Sequence, residues 1–165
     1  MQGTERYLKW CLKQGRGIRL ASPSDNLMKA YLEKSHNALK SMEVNAEAEL
    51  PEWAVSASYY AKYFVVYALL AKIGAKCEIH DCTIALFGYL LSAAKFHHLV
   101  RELRRSKDDR VEVQYYSRQI KVDLSDLMGQ TKEFVLQVEE LTDGLNPQEI
   151  ADLRKRLRVL TSSKS

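Results

Sequence analysis

The stretch Pro51–Gly74, PEWAVSASYYAKYFVVYALLAKIG, decides the fold. Proline suits a first helical position, where its missing N–H would have had no intrahelical partner, and glycine suits the left-handed residue that ends a helix. Between them the chain is apolar almost all round, the pattern of a helix with neighbours on every side. It predicts a helix over 51–73 as the central member of the domain. Lys62 sits in mid-segment, and the unbroken apolar run Tyr63–Ala71 is only nine residues. Spanning a bilayer needs ~20, so this is a core helix and no membrane is expected.

Similar punctuation recurs on both sides. Ser22-Pro23-Ser24-Asp25 reads as an N-cap serine, a proline at the first helical position and an acid favoured by the helix dipole. A helix from about Pro23 to Ala48 follows, with Leu27, Met28, Tyr31, Leu32, Leu39 and Met42 on one side. Downstream, Asp81 caps a helix to about Ala94, with a continuation to Ser106 left open. Asp123 caps another, whose apolar positions from Leu124 to Leu141 step by three and four until Gly144 closes it. Asn146-Pro147-Gln148-Glu149 has the form of a capping box opening a last helix. The only strand-like alternation is Arg110–Val113, and Gln14–Arg19 and Thr161–Ser165 look disordered.

The sequence therefore predicts an all-α, up-and-down bundle of about five helices. An N-terminal extension with a short helix occupies 1–21, the bundle 22–160 and a disordered tail 161–165. A chain of 165 residues fits one domain with a real core. With 25 basic against 21 acidic residues, the surface is of mixed sign, and charge alone does not make a nucleic-acid binder. The odd cysteines Cys11, Cys77 and Cys82 lack the spacing of a disulfide framework, which predicts a reducing compartment. The first ten residues carry Glu5, Arg6 and Lys9 and no long apolar run of a secretory signal. The expected location is the cytoplasm.

The segment Trp53–Leu86, WAVSASYYAKYFVVYALLAKIGAKCEIHDCTIAL, resembles the two long central helices of HEPN domains (higher eukaryotes and prokaryotes nucleotide-binding). Tyr59-Tyr60-Ala61, the aromatic-rich helix after it and the Gly74…Lys76…His80 turn carry the likeness, which covers roughly 22–143. Arg104–Tyr116, RRSKDDRVEVQYY, looks like the family's polar signature, and Tyr7–Pro23 looks like an extension found on some archaeal members. The resemblance implies a bundle that dimerises side by side with a polar groove at the seam. Many HEPN proteins are ribonucleases using Arg, four to six residues, then His, and many partner a small nucleotidyltransferase as toxin and antitoxin. Here none of His36, His80, His97 or His98 follows an arginine at that spacing. The nearest match starts at Arg110, with Tyr115 and Tyr116 where histidine belongs.

Histidine exchanges protons near neutral pH with a reference pKa of about 6.5, whereas tyrosine sits near 10. Cleavage loses its proton carrier, while the arginine fork can still hold a phosphate. The candidate nucleotide- or RNA-binding residues are Arg110, Tyr115 and Tyr116, with Arg105 in support. The bland reading pairs Arg110 with Asp108 or Asp109 and leaves both tyrosines half-buried at a helix edge. The run Arg101, Arg104, Arg105, Lys107 and Arg110 reads as a solvated face more than an RNA stripe, because Glu102, Asp108 and Asp109 interrupt it. Tyr60, Tyr63 and Tyr67 step at helical spacing and read as core or dimer packing. Cys77, His80 and Cys82 have the wrong spacing for a zinc knuckle, so no metal or cofactor is expected.

The expected function is a HEPN-like nucleotide- or RNA-associated module, homodimeric, acting with a minimal nucleotidyltransferase partner and carrying a degenerate catalytic motif. One alternative is an oligomerisation or adaptor bundle. The other is a metal-independent ribonuclease in which His97 or His98 reaches Arg110 across a dimer seam.

Overall fold

The computed structural model describes residues 2–116 and 122–162. In chain order these form α1 (Gln2–Lys13), β1 (Arg19–Leu20), α2 (Asp25–Glu47), α3 (Pro51–Ile73), β2 (Ala75–Lys76) and α4 (His80–Leu90). A single 3-10 turn, Ala94–Phe96, then leads to α5 (His97–Tyr115), α6 (Leu124–Gly144) and α7 (Pro147–Ser162). The protein is an all-α bundle, and no described helix is long and apolar enough to cross a membrane.

α3 lies at the centre, packed against α2, α5 and α6. Its buried residues lie on every side, including Tyr59, Val65, Val66, Leu69 and Leu70. Each fully buried aliphatic side chain contributes about 1.5–3 kcal/mol, which makes this helix the main source of cohesion. One core joins Tyr59, Val66 and Leu69 of α3 to Phe87, Leu99, Leu103, Phe134 and Val138. A second lies toward its C-terminal end, where Leu70 and Ile73 meet Leu8 and Leu12 of α1, Leu86 and Leu90 of α4, and Leu157 of α7.

The caps follow from the sequence. Gly74 adopts φ 73°, and a Cβ there would lie 2.0 Å from Arg154 Nη1 and 2.6 Å from the Ala21 carbonyl. That guanidinium, reaching across from α7, donates to the Ile73 carbonyl at 2.7 Å and satisfies an end of α3 that has no helical partner. The Asp123 carboxylate accepts from the N–H groups of Ser125 and Asp126. The capping box is complete: Glu149 N–H donates to Asn146 Oδ1 and Asn146 N–H to Glu149 Oε2, each at 2.9 Å.

Several expectations are corrected. Seven α-helices are described: the short N-terminal α1 precedes the bundle, and the third bundle helix, whose continuation to Ser106 the sequence leaves open, breaks after Leu90 and resumes at His97. The cap of α2 is Ser24, whose hydroxyl accepts from Leu27 N–H at 3.1 Å, and not Ser22. Arg110–Val113 is helical, its side chains being set by the α5 face on which they fall. Gln14–Arg19 is ordered: Gly17 N–H and Ile18 N–H bond back to Gln14 and Cys11 carbonyls, and Arg19–Leu20 pairs antiparallel with Ala75–Lys76. Thr161 and Ser162 belong to α7, while 163–165 lie outside the described residues. The cysteines are not all free, since Cys11 and Cys82 form a disulfide that ties α1 to α4, leaving Cys77 as a buried thiol.

Candidate functional site

Tyr59 and Tyr63 are one turn apart on α3 and so share a side of it. Both meet His80, the first residue of α4. The Tyr63 ring stacks on the imidazole with centroids 4.3 Å apart and planes 7° from parallel. The Tyr59 hydroxyl lies 2.5 Å from His80 Nδ1. Thr83, one turn into α4, donates its hydroxyl to the Ile79 carbonyl at 3.1 Å and lies 3.5 Å from the Tyr63 hydroxyl.

α5 brings cations to this cluster. Lys107 Nζ donates to Asp81 at 2.5 Å, fastening α5 to the first turn of α4. Three residues on, the Arg110 guanidinium lies over the rings of Tyr59 at 5.7 Å and Tyr60 at 5.2 Å. Such stacking fits the flat, weakly hydrated guanidinium. A turn later Gln114 donates to Ser56 of α3 at 3.0 Å. Arg110 Nε is buried and has no hydrogen-bond partner among the described residues. A donor left in that state costs free energy that an incoming acceptor can recover.

The charges are arranged around a neutral imidazole. Burial, and then the Arg110 charge, pull the His80 pKa below its ordinary value, with Asp81 opposing and Lys107 adding to the fall. Burial, with Tyr63 beside it, pushes the Tyr59 hydroxyl above the tyrosine range, so it keeps its proton. The strongest charge at the cluster is therefore the guanidinium. Beyond it, Tyr60 stacks on Phe64, Phe64 on Tyr31 of α2, and Lys34 Nζ lies 5.4 Å from the Tyr31 centroid. Half-buried aromatic faces thus run between two cations, Arg110 and Lys34.

The structure separates the residues that the sequence had grouped. Tyr115 and Tyr116 are 69% and 64% exposed at the end of α5. Arg105 points to solvent and pairs with Asp109 at 3.7 Å. Five residues on a helix amount to a turn of about 140°, so Arg105 and Tyr115 both face away from Arg110. Its aromatic companions are Tyr59 and Tyr60. Of the histidines, His98 bonds Gln137, His97 the Ser92 carbonyl and His36 Glu139, and only His80 stands beside Arg110. The clue was the tyrosine spacing together with a histidine soon after Gly74. Cys82, weighed with Cys77 and His80 as a metal set, is joined to Cys11.

Lys62 is the other polar group the sequence marked. Its side chain is 2% exposed and forms an ion pair with Glu102 at 2.9 Å. It also donates to Ser106 at 2.9 Å. Burial lowers its pKa while Glu102 pulls it back up.

A search of curated proteins and a search of solved structures each return no match. The family model described as HEPN domain matches residues 28–141. That span is more than half of the chain and holds Tyr59, Tyr60, Tyr63, His80 and Arg110 together, and the protein belongs to the HEPN domain family.

Proposed function

We propose that this HEPN domain is a nucleotide- or RNA-associated module, working as a homodimer with a minimal nucleotidyltransferase partner, as one half of a toxin–antitoxin-like pair. The observation that carries the nucleotide reading is the Arg110 guanidinium, stacked on Tyr59 and Tyr60 with its Nε buried and unpartnered among the described residues. A phosphate oxygen meets that donor, and nucleobases find flat faces in Tyr60, Phe64 and Tyr31, since base–aromatic stacking is sequence-tolerant. The strand-cleaving motif is degenerate at Tyr115 and Tyr116, so binding outlasts turnover.

Arg110→Ala tests this. With a short single-stranded RNA as probe, the loss of one charged phosphate contact weakens binding about 10–100-fold. It also makes the dependence of affinity on salt shallower by about one counterion. Unchanged affinity and slope in a variant that melts normally would overturn the assignment. Solution mass tests the dimer.

A second reading, metal-independent RNA cleavage, is favoured by one observation: His80 and Arg110 both contact Tyr59, and there burial, then the guanidinium charge, pull the imidazole pKa below its ordinary value. It replaces His97 and His98 as the proton carrier of that reading. Cleavage abolished by both His80→Gln and Arg110→Ala would select it.

A further inference from the structure

α1, α4, α5 and α7 enclose a concavity of about 900 Å3 that shares no lining residue with the Arg110 cluster. Its interior is formed by Leu8, Leu12, Ile84, Ala85, Val100 and Leu160. The helices approach closely here, since a Cβ on Gly88 would stand 3.2 Å from Val100 Cγ1. Leu8 and Leu12 are held in place by the Cys11–Cys82 bond between α1 and α4.

Among the described residues, the charged groups that line it are of one sign: Lys9, Arg101, Arg104 and Arg156 are lining residues, and no described carboxylate is. Arg156 is fixed, donating to the carbonyls of Tyr89 at 2.5 Å and Leu90 at 2.9 Å. These bonds satisfy the C-terminal end of α4 and hold a positive charge at the concavity. Arg101 and Arg104 are exposed, fall on one side of α5 and form no ion pair among the described residues.

We propose that this concavity is a binding site for a single-chain amphiphile with an anionic head, a fatty-acyl carboxylate. The tail runs among Leu12, Ile84 and Val100, and the carboxylate is held by Arg101 and Arg104. The volume falls within the range of small-molecule sites, about 300–1,000 Å3, which are apolar with a few convergent polar groups. Arginine forks match a carboxylate in geometry as well as charge. Leu8 and Leu12 of α1 and Leu160 of α7, which close the apolar wall, lie outside the span 28–141 of the family match, while Arg101 and Arg104 lie inside it.

The test uses the full chain with its disulfide intact, and calorimetry with octanoate, decanoate and dodecanoate below their aggregation concentrations. Affinity rises roughly tenfold for each two methylenes added. Decanol, with the same tail and no charge, binds at least tenfold more weakly than decanoate. The Arg101→Ala/Arg104→Ala double variant loses that advantage. Val159→Glu, at an exposed lining position of α7, places a like charge beside the ligand and weakens binding at least tenfold, while the melt without ligand stays unchanged. Equal affinity for decanoate and decanol, no dependence on chain length, or full affinity in the double variant overturns the proposal. So does capture of an acidic amphipathic peptide by a protein that ignores all three acids.

Discussion

Breaking the Cys11–Cys82 bond is the most informative perturbation of the fold, because it releases the one covalent tie between the short helix α1 and the bundle. The two cysteines are 71 residues apart in sequence. Opening a loop of that length returns conformational entropy to the unfolded chain worth about 4 kcal/mol. For a chain of 165 residues, each kcal/mol moves the melting temperature by about 2–4 °C, so reduction lowers it by roughly 8–16 °C. α1 has only 12 residues, and isolated helices of that length are marginal in water. Once reduced, it stays docked through Leu8 and Leu12, which are 3% and 1% exposed. The far-UV signal of α1 is then lost ahead of the rest, whereas the oxidised protein unfolds in one step. The assay is thermal and urea unfolding of oxidised, reduced and Cys11→Ala/Cys82→Ala protein, with thiols counted in denaturant. Cys77 is buried and its thiol is pushed up by that burial, so it reacts only after unfolding. One thiol appears in the denatured oxidised chain and three in the reduced one. Three thiols without reductant, or matching unfolding midpoints in all samples, would refute the reasoning.

The Lys62–Glu102 pair should respond asymmetrically. Glu102→Ala strands an ammonium that is 2% exposed and costs about 3 kcal/mol, whereas Lys62→Met leaves Glu102 Oε1 buried on a side chain that is 28% exposed and can turn to water, at a smaller cost of about 1–2 kcal/mol. The folded Lys62 pKa lies below its unfolded value, so the unfolded chain binds more protons and the Glu102→Ala deficit shrinks as pH rises toward 10. Equal costs in urea titrations of the two variants would contradict this. His80 behaves similarly near neutrality. Its folded pKa is below the unfolded value of about 6.5, so stability is full above that pH and falls as the solution is acidified, more weakly in His80→Gln. Because Arg110 is the second cause of the shift, Arg110→Ala moves the His80 imidazole titration upward by NMR, and an unmoved curve would remove that guanidinium from the cluster.

Local signals were legible where one short segment contains its own physics. Pro51 and Gly74 bracket α3 because an N–H is dispensable at one end and a positive φ required at the other. Asp123 and the Asn146/Glu149 box could be read because each cap and its target lie within three residues. Ser22 was preferred to Ser24 because proline commonly follows a cap, but Ser24 alone has its hydroxyl at the free Leu27 N–H. Tertiary partnerships were not legible. Nothing local says that Cys11 meets Cys82, or that the Ala21 and Ile73 carbonyls share Arg154. Arg110 was singled out through the resemblance, and the rings it stacks on were not, because Tyr115 and Tyr116 are near in sequence while Tyr59 and Tyr60 are near in space.

The basic run on α5 shows why one dimension misleads. Written in a line, Arg101, Arg104, Arg105, Lys107 and Arg110 suggest a single stripe. At about 100° per residue, they fan around more than half of the helix, with Arg105, Arg101, Arg104, Lys107 and Arg110 following one another in steps of roughly 40–60°. Arg101 and Arg104 turn toward α1 and α7, Arg105 turns to solvent, and Lys107 and Arg110 turn toward α3 and α4. One polyanion lying flat cannot engage all five, so the proposed nucleotide contact rests on the charge that meets aromatic faces. Arg110 is the member of the run stacked on aromatic rings, and Lys34 at the other end of those rings comes from α2, outside the run. The two proposals therefore use different faces of α5, one for an anion with a flat ring system and one for an anion with an aliphatic tail.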